Sequence, residues 1–268
     1  MVINKPLQNI GIAITRPADQ AKKLSALIEQ AGGKAILFPL IEIVALSDYS
    51  QFESVISEIQ TYDWAIFISS NAVQNGMPRL LKLGIALNDS LGNLKFAAIG
   101  PVTADELKSF GVSDVLIPFS HAQHGDETKV RFDSESLLAL PEMNNVAGKK
   151  ILLVRGVGGR DVLAETLTKR GAQVTFAECY QRINPQTSCD LLMQFYLKKK
   201  LHGIVVTSSE AMRYLLDLAG TADWLENVTL FVNHARIAEL PNQLGLKVVV
   251  ANAAGDEAML SKLIERLD

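Results

Sequence analysis

Short runs of consecutive apolar residues alternate along the chain with segments in which apolar residues recur every three or four positions. The runs include IGIAIT at 10–15 and KILLVRG at 150–156, and unbroken apolar runs are typical of parallel strands buried on both faces. In the segment 18–31, Leu24, Leu27 and Ile28 fall on one face of a helix. The alternation predicts an α/β fold in which helices cover parallel sheets.

The series of strands and helices occurs twice. Arg16 ends the first strand and Gly32 follows its helix sixteen residues later, and Arg155 and Gly171 stand in the same relation. Both glycines come where the end of a helix favours the left-handed conformation. Three further blocks match in the same order: WAIFISSNAV (64–73) with GIVVTSSEAM (203–212), KFAAIGPVTADELKSFG (95–111) with TLFVNHARIAELPNQLG (229–245), and DVLIP (114–118) with KVVVA (247–251). The chain is therefore predicted to be two copies of one β/α series.

Two extended segments, FPLIEIVAL at 38–46 and FAECYQRIN at 176–184, each follow the first part of one copy. We interpret them as strands that cross side by side. They predict two similar doubly wound parallel-sheet domains, with a hinge and a cleft beside it. Domain 1 consists of residues 1–38 with 183–268, domain 2 of residues 46–176, and a two-stranded linker of residues 39–45 and 177–182.

The residues that follow the predicted strands are small and polar. In open parallel sheets, ligands bind outside the carboxyl ends of the strands, where N–H groups of helix N-termini attract anions. One serine or threonine in such a place is most simply a helix N-cap. Six such ends with four arginines among them favour a carboxylate or phosphate ligand. They are Thr15-Arg16-Pro17, Ser69-Ser70-Asn71, Gly100-Pro101-Val102-Thr103, Arg155-Gly156-Val157-Gly158-Gly159-Arg160, Thr207-Ser208-Ser209 and Asn233-His234-Ala235-Arg236.

The glycine-rich turn at 156–161 does not match the nucleotide-binding motifs. Asp161 stands where G-x-G-x-x-G has its third glycine, and the sequence contains no G-x-x-x-x-G-K-[ST]. A turn that allows close approach of the backbone, with Arg155 and Arg160 on either side, suits carboxylates better than a nucleotide.

Composition narrows the function classes. The 268 residues carry a net charge of −3, which gives no global basic field for nucleic acid or a membrane surface. Cys179 and Cys189 form neither a metal-binding spacing nor a disulfide framework. No signal-type apolar region and no run near the roughly 18–20 residues of a membrane span is present. We expect a cytoplasmic protein without a metal site, and interpret the polar stretch around His121 and His124 as a surface loop.

Seven motifs, taken together, resemble uroporphyrinogen-III synthase over essentially the whole chain. They are Thr15-Arg16-Pro17, FPLIEI, FISSNAV, AIGPVTADEL, LLVRGVGGRDVL, AECYQR and VVTSSEAM. The resemblance implies two α/β lobes joined by a two-stranded linker. It also implies a cofactor-independent lyase that cyclises the linear tetrapyrrole hydroxymethylbilane to uroporphyrinogen III. The reaction loses water and inverts the last pyrrole ring through a spiro intermediate. The substrate carries eight carboxylates, and a monomer is expected.

The resemblance also implies roles for individual residues. Tyr180 matches the linker tyrosine that is proposed to hydrogen-bond or protonate the leaving hydroxyl, and Thr103 matches a polar threonine at a helix start. The stretch 233–236 follows the family pattern only loosely. The expected substrate-binding residues are Thr15, Arg16, Ser69, Ser70, Asn71, Gly100, Arg155, Gly158, Gly159, Arg160, Thr207, Ser208 and Ser209.

Two other functions fit duplicated α/β lobes. One is a two-lobed small-molecule-binding protein without catalysis, like the sensor portion of a bilobal regulator. No helix-turn-helix segment precedes the first strand and no export signal is present, which weighs against it. The other is a phospho-sugar or nucleotide transferase, which the missing phosphate-binding motifs and the lack of an Asp-x-Asp metal pair disfavour.

Overall fold

The structure is a computed structural model that describes residues 5–85, 93–118, 132–220, 223–253 and 255–267. The chain divides into two compact units. Unit 1 comprises Met1–Glu42 and Ile183–Asp268, and unit 2 comprises Ile43–Arg182. The polar stretch with His121 and His124, interpreted above as a surface loop, lies outside the described residues.

Unit 1 is built on a five-stranded sheet in the order β11-β10-β9-β1-β2. All of its strand pairs are parallel. Its strands are β1 (Gly11–Ile14), β2 (Lys34–Leu37), β9 (Gly203–Val206), β10 (Thr229–Val232) and β11 (Val248–Val250). Its helices are α1 (Ala18–Gln30), α8 (Asp190–Leu197), α9 (Ser209–Ala219), α10 (Ala235–Gln243) and α11 (Asp256–Leu267).

Unit 2 is built on a six-stranded sheet in the order β3-β8-β7-β4-β5-β6. The ladders from β8 to β6 are parallel. Its strands are β3 (Glu42–Val44), β4 (Trp64–Phe67), β5 (Lys95–Ala98), β6 (Val115–Leu116), β7 (Lys150–Gly156) and β8 (Gln173–Ile183), and the first residue of β3 and the last of β8 fall in unit 1. Its helices are α2 (Ser50–Ile56), α3 (Ser70–Lys82), α4 (Pro101–Ser109), α5 (Ser134–Leu138), α6 (Pro141–Asn144) and α7 (Val162–Lys169).

The two copies in the sequence are interleaved in the fold. Unit 1 takes β1 and β2 from the first copy and β9 to β11 from the second, and unit 2 takes β7 and β8 from the second copy and β4 to β6 from the first. The resulting strand orders correspond, since β11-β10-β9-β1-β2 matches β6-β5-β4-β7-β8 position by position. The predicted α/β fold with parallel sheets is confirmed.

Apolar cores lie against the sheets. In unit 1, one core packs Ile12 and Ile14 of β1 and Phe231 of β10 against α1 and α11. In unit 2, alternate residues of each central strand enter different cores: Phe67 joins one and Ile66 the other. This division is what a sheet covered by helices on both faces requires.

The segment at 38–46 differs from the sequence interpretation in detail. Only Glu42–Val44 of it form a strand, β3, and the stretch that separates β3 from β2 contains Pro39, which lacks an N–H donor. Phe38 and Leu40 on either side of this proline are fully buried. No helix in the described part of the chain is long and apolar enough to cross a bilayer.

Candidate active site

Tyr180 lies on β8 with its side chain fully buried. A register shift between β7 and β8 places Gly156 opposite it. A Cβ atom at position 156 would lie 2.5 Å from Cε2 of the Tyr180 ring. Glycine at this position therefore allows the phenol ring to pack directly on the neighbouring strand.

The Tyr180 hydroxyl contacts two polar side chains. Ser69 Oγ lies 3.2 Å from it, and Arg182 Nη2 donates to it across 3.2 Å. Ser69 is the N-cap of α3, and its Oγ accepts the Ala72 N–H at 3.1 Å. The helix start therefore fixes the serine hydroxyl that faces the phenol.

The buried side chain of Arg155 makes hydrogen bonds within the glycine-rich turn. Its side chain is only 4% exposed and donates to the Asp161 carboxylate at 2.7 Å. It also donates to the carbonyl oxygens of Gly156, at 3.2 Å, and of Gly158. Its guanidinium carbon lies 4.8 Å from the centroid of the Phe176 ring. The guanidinium, expected from the sequence to meet substrate, is thus engaged by the protein in this structure.

The turn itself presents a carboxylate-binding geometry. Gly158 and Gly159 have φ values of 66° and 104°, which favour glycine. The Gly158 N–H donates to the Glu178 carboxylate at 3.2 Å, so the turn binds a carboxylate of the protein itself. Arg160 pairs with Glu135 at 2.7 Å, and about half of each side chain is exposed.

The strand end at 100–103 begins a helix. Gly100 is the N-cap of α4 and Pro101 is its first residue. A Cβ atom at position 100 would lie 2.8 Å from Cβ of Phe132, so glycine is required for this contact. Thr103 lies in the first turn of α4 and is buried, while Ser70 and Asn71 begin α3 and are half-buried.

The strand ends of unit 1 form a separate set of contacts. Thr15 is buried and donates its hydroxyl to the Val205 carbonyl at 2.9 Å. Arg16 donates to Thr207 Oγ1 at 3.2 Å and pairs with Asp256 at 2.5 Å, at the start of α11.

The remaining polar ends of unit 1 cap helices. Ser208 is the N-cap of α9 and accepts the Ala211 N–H at 3.0 Å, and Ser209 is exposed beside it. His234 is the N-cap of α10. Asn233 Oδ1 is buried and, within the described residues, has no hydrogen-bond partner.

Two ionisable groups near Tyr180 differ in what they offer. Burial raises the pKa of the Cys179 thiol to about 12, and its Sγ lies within 3.5 Å of the carbonyl oxygens of Ala72 and Arg155. This thiol therefore stays protonated near neutral pH and is not a nucleophile. Arg182, in contrast, brings a fixed positive charge to the phenol.

The structure brings some of the predicted residues together and not others. Tyr180, Ser69 and the glycine-rich turn meet in unit 2, and Thr15, Arg16 and Thr207 meet in unit 1. Sequence reasoning missed Arg182 as part of the site. The period of two along a strand could have identified it, because residues 180 and 182 share a face of β8. Among the described residues, no three His, Cys, Asp or Glu side chains converge to hold a metal ion.

Comparison with known proteins gives a consistent result. Residues 22–261 match the family model described as uroporphyrinogen-III synthase HemD. The chain is 33% identical over 259 residues to the uroporphyrinogen-III synthase of Salmonella typhimurium, covering 95% of this chain and 100% of the relative. It is 31% identical over 261 residues to that of Escherichia coli K12, again with 95% and 100% coverage.

Two solved structures share the fold. A mutant uroporphyrinogen III synthase from the extremely thermophilic bacterium Thermus thermophilus matches with a TM-score of 0.61 at 17% identity, covering 95% of this chain and 96% of that one. The uroporphyrinogen-III synthetase of Helicobacter pylori 26695 matches with a TM-score of 0.58 at 16% identity, covering 96% and 99%. These likenesses support the architecture, and the family model and the sequence relatives extend over almost all of the chain. The chain therefore belongs to the uroporphyrinogen-III synthase family.

Proposed function

We propose that this chain cyclises hydroxymethylbilane to uroporphyrinogen III, with loss of water and inversion of the last pyrrole ring. The observation that carries the proposal is the family match over residues 22–261. The cluster of Tyr180, Ser69 and Arg182 gives the reaction a physical basis in unit 2.

The difficulty of this reaction is selectivity, because pyrrole carbons are nucleophilic without help. Hydroxymethylbilane also closes unaided to the unrearranged type I isomer. The protein must therefore bind a folded conformer in which the substituted carbon of the last ring meets the reactive methylene carbon, which gives the spiro intermediate. Holding that conformer favours one ring closure over the other, and such positioning lowers the barrier without a covalent nucleophile.

Tyr180 is proposed to assist the departure of the hydroxyl. Its phenol proton passes to the leaving oxygen, the carbon–oxygen bond breaks with its electron pair on oxygen, and water forms. The pyrrole nitrogen supplies the electrons that generate the azafulvene. The phenolate regains a proton when the rearranged ring system loses one, so the protein ends unchanged. No resident metal or organic cofactor takes part in this scheme.

The carboxylates of the substrate are proposed to bind at the polar strand ends of both units. The N-termini of α3 and α9 offer N–H groups beside Ser69-Ser70-Asn71 and Thr207-Ser208-Ser209. Gly100, Thr103, Gly158, Gly159 and Arg160 are the further candidates in unit 2. Thr15, Arg16 and Arg155 are proposed to support these ends from within, because the structure buries their polar groups against neighbouring residues.

The chain passes between the units at residues 42–43 and 182–183. We propose that residues 39–45 and 177–182 act as the linker at these crossings. We also propose that the protein acts as a monomer in the cytoplasm, with the tetrapyrrole as its only partner. Gel filtration with light scattering tests the monomer.

The isomer of the product tests the function. Enzymatically generated hydroxymethylbilane is supplied to the purified protein, the product is oxidised, and the porphyrin isomers are resolved by chromatography. The type III isomer is expected in excess over a control without protein. Type I alone would overturn the proposed function and favour the non-catalytic binding protein.

The role of Tyr180 is tested by Tyr180→Phe. A general acid contributes roughly 10²–10⁴-fold to a rate. Since positioning supplies much of the catalysis, the variant is expected to lose about a hundredfold in kcat and still form the type III isomer. A folded variant with no turnover would show that the proton donor is obligatory, against the view that positioning dominates.

A further inference from the structure

Arg182 approaches the phenol of Tyr180 from the same strand, two residues further on. Its Nη2 lies 3.2 Å from the Tyr180 hydroxyl, and its guanidinium carbon lies 5.6 Å from the ring centroid. A Cβ atom at Gly159 would lie 3.8 Å from Nη1 of the same side chain. The guanidinium therefore contacts the phenol oxygen and lies beside Gly159 of the glycine-rich turn.

The chemistry of arginine fixes the direction of the contact with Tyr180. A guanidinium has only donors, so the Tyr180 oxygen accepts from Arg182. Ser69 Oγ already accepts the Ala72 N–H, and it keeps its own O–H to donate. The 3.2 Å contact between Ser69 and Tyr180 is then satisfied with either oxygen as the donor.

These two arrangements differ in where the phenol proton points. In one, Tyr180 donates to Ser69. In the other, Ser69 and Arg182 both donate to the Tyr180 oxygen, and the phenol O–H is left to donate to a ligand oxygen once the side chain, which is fully buried in this structure, is uncovered. The second arrangement also provides two donors to stabilise the phenolate that proton transfer leaves behind, and one of them is charged.

We propose that Arg182 is a positioning residue that, together with Ser69, makes the Tyr180 hydroxyl a directed proton donor. The inference rests on the proposed function, because it needs a leaving hydroxyl to receive the proton. Arg182 acts through Tyr180, so its contribution disappears when the phenol oxygen is absent. That property separates a positioning role from direct binding of substrate and from a purely structural role.

A double-mutant cycle measures this dependence. The kcat and KM for type III formation are compared in the wild-type protein, Tyr180→Phe, Arg182→Gln and the double variant. Loss of a charged hydrogen bond predicts that Arg182→Gln lowers kcat by about 10- to 100-fold, with KM changed less than about threefold. In the Tyr180→Phe background the same substitution is expected to change kcat by less than about twofold.

Two further variants keep the cycle interpretable. Arg182→Lys retains a cationic donor and is expected to recover part of the kcat that Arg182→Gln loses, while circular dichroism and thermal melts report folding. Lys169→Gln removes a positive charge from the exposed last turn of α7 and is expected to leave kcat unchanged.

Several outcomes would overturn the inference. Equal losses from Arg182→Gln in both backgrounds would mean that the arginine acts independently of the phenol, and a rise in KM alone would make it a carboxylate-binding residue. If Tyr180→Phe kept the wild-type kcat, Tyr180 would not be the proton donor and the inference would fail. Formation of the type III isomer would still support the proposed function. A wild-type protein that yields type I alone would refute both.

Discussion

The equivalent strand–helix connections of the two units each carry an arginine, and the units hold these arginines differently. In unit 1, Arg16 reaches across to Asp256, which is 240 residues away, and joins the start of α11 to the end of β1. In unit 2, Arg155 turns inward to Asp161, six residues away, and to the carbonyl oxygens of its own turn. The first arginine links two elements, while the second folds a loop.

The difference follows from the residues after each arginine. In unit 1 the chain enters the 13-residue helix α1 almost at once, whereas in unit 2 the 8-residue helix α7 begins only at Val162. Glycines at 156, 158 and 159 disfavour helix, so the residues of the first helical turns form a loop instead. Of the two equivalent connections, the one in unit 2 therefore contains a turn, and Tyr180 packs against it.

The largest expected effect on turnover comes from a substitution that crowds the Tyr180 ring from the glycine-rich turn. Gly156→Ala places a methyl group 2.5 Å from Cε2 of the Tyr180 ring, so the ring must shift from the position in which its hydroxyl contacts Ser69. We expect a loss of at least about a hundredfold in kcat and about 2 kcal/mol in the free energy of unfolding. Gly148→Ala meets nothing within 4 Å but strains a left-handed backbone with φ 73°, so it is a control for turnover that has its own stability loss. Near-normal turnover in Gly156→Ala would show that the packing of Tyr180 is unimportant.

The two arginines give the largest expected effects on stability. Arg155→Met leaves the carbonyl oxygens of Gly156 and Gly158 without their donor, and we expect it to lower the free energy of unfolding by about 3 kcal/mol. Arg16→Met breaks an ion pair and one hydroxyl contact, for about 2 kcal/mol. Urea titration measures both losses. Hydrogen exchange should quicken at 156–161 in the first variant and at the start of α11 in the second, and the reverse pattern would contradict the comparison.

The two serine caps give a smaller, paired effect. Ser69→Ala and Ser208→Ala each remove an N-cap hydrogen bond, for about 1 kcal/mol of stability each. Only Ser69 also contacts Tyr180, so we expect about a tenfold loss of kcat there and a few-fold loss at Ser208. Steady-state kinetics beside thermal melts separate the two quantities. Equal losses of kcat would mean that the contact with Tyr180 contributes nothing.

The smallest effect concerns the two cysteines, one in each unit. Burial raises the pKa of Cys179 to about 12 and that of Cys189 to about 11, against an ordinary value of 9.0. Both thiols should resist alkylation by iodoacetamide at pH 8, with Cys189 reacting first as the pH rises. Because both folded pKa values are raised, their contribution to stability is complete below pH 9 and lost between pH 9 and about 12. Rapid labelling of Cys179 in the folded protein would contradict its burial.

Most of the fold could be predicted from the sequence, because the duplication is visible in local patterns. Gly32 and Gly171, predicted to follow helices in the left-handed conformation, have φ values of 90° and 88°. Tyr180 is singled out by the family resemblance, and Arg182, which sequence reasoning missed, could have been found from the period of two along a strand.

Other contacts lay beyond the reach of local pattern. The partners Ser69 and Tyr180 are 111 residues apart, and Arg16 and Asp256 are 240 apart, so only the folded chain pairs them. The strand ends suggested that Arg155 faces a ligand. The sequence could not show that the turn at 156–161 encloses the guanidinium of Arg155. That contact depends on the path of the loop, which Gly158 and Gly159 set.

The interleaved order of the strands governs how a growing chain can fold on the ribosome. All the strands of unit 2 have been synthesised by Ile183, but β1 lies between β2 and β9 and must wait for residues 203–206. Until then Ile12 and Ile14 lack the neighbour that buries them in the finished protein. A nascent chain can therefore complete the sheet of unit 2 before that of unit 1. Premature termination after residue 183 would leave all the strands of unit 2 present, but only β1 and β2 of unit 1.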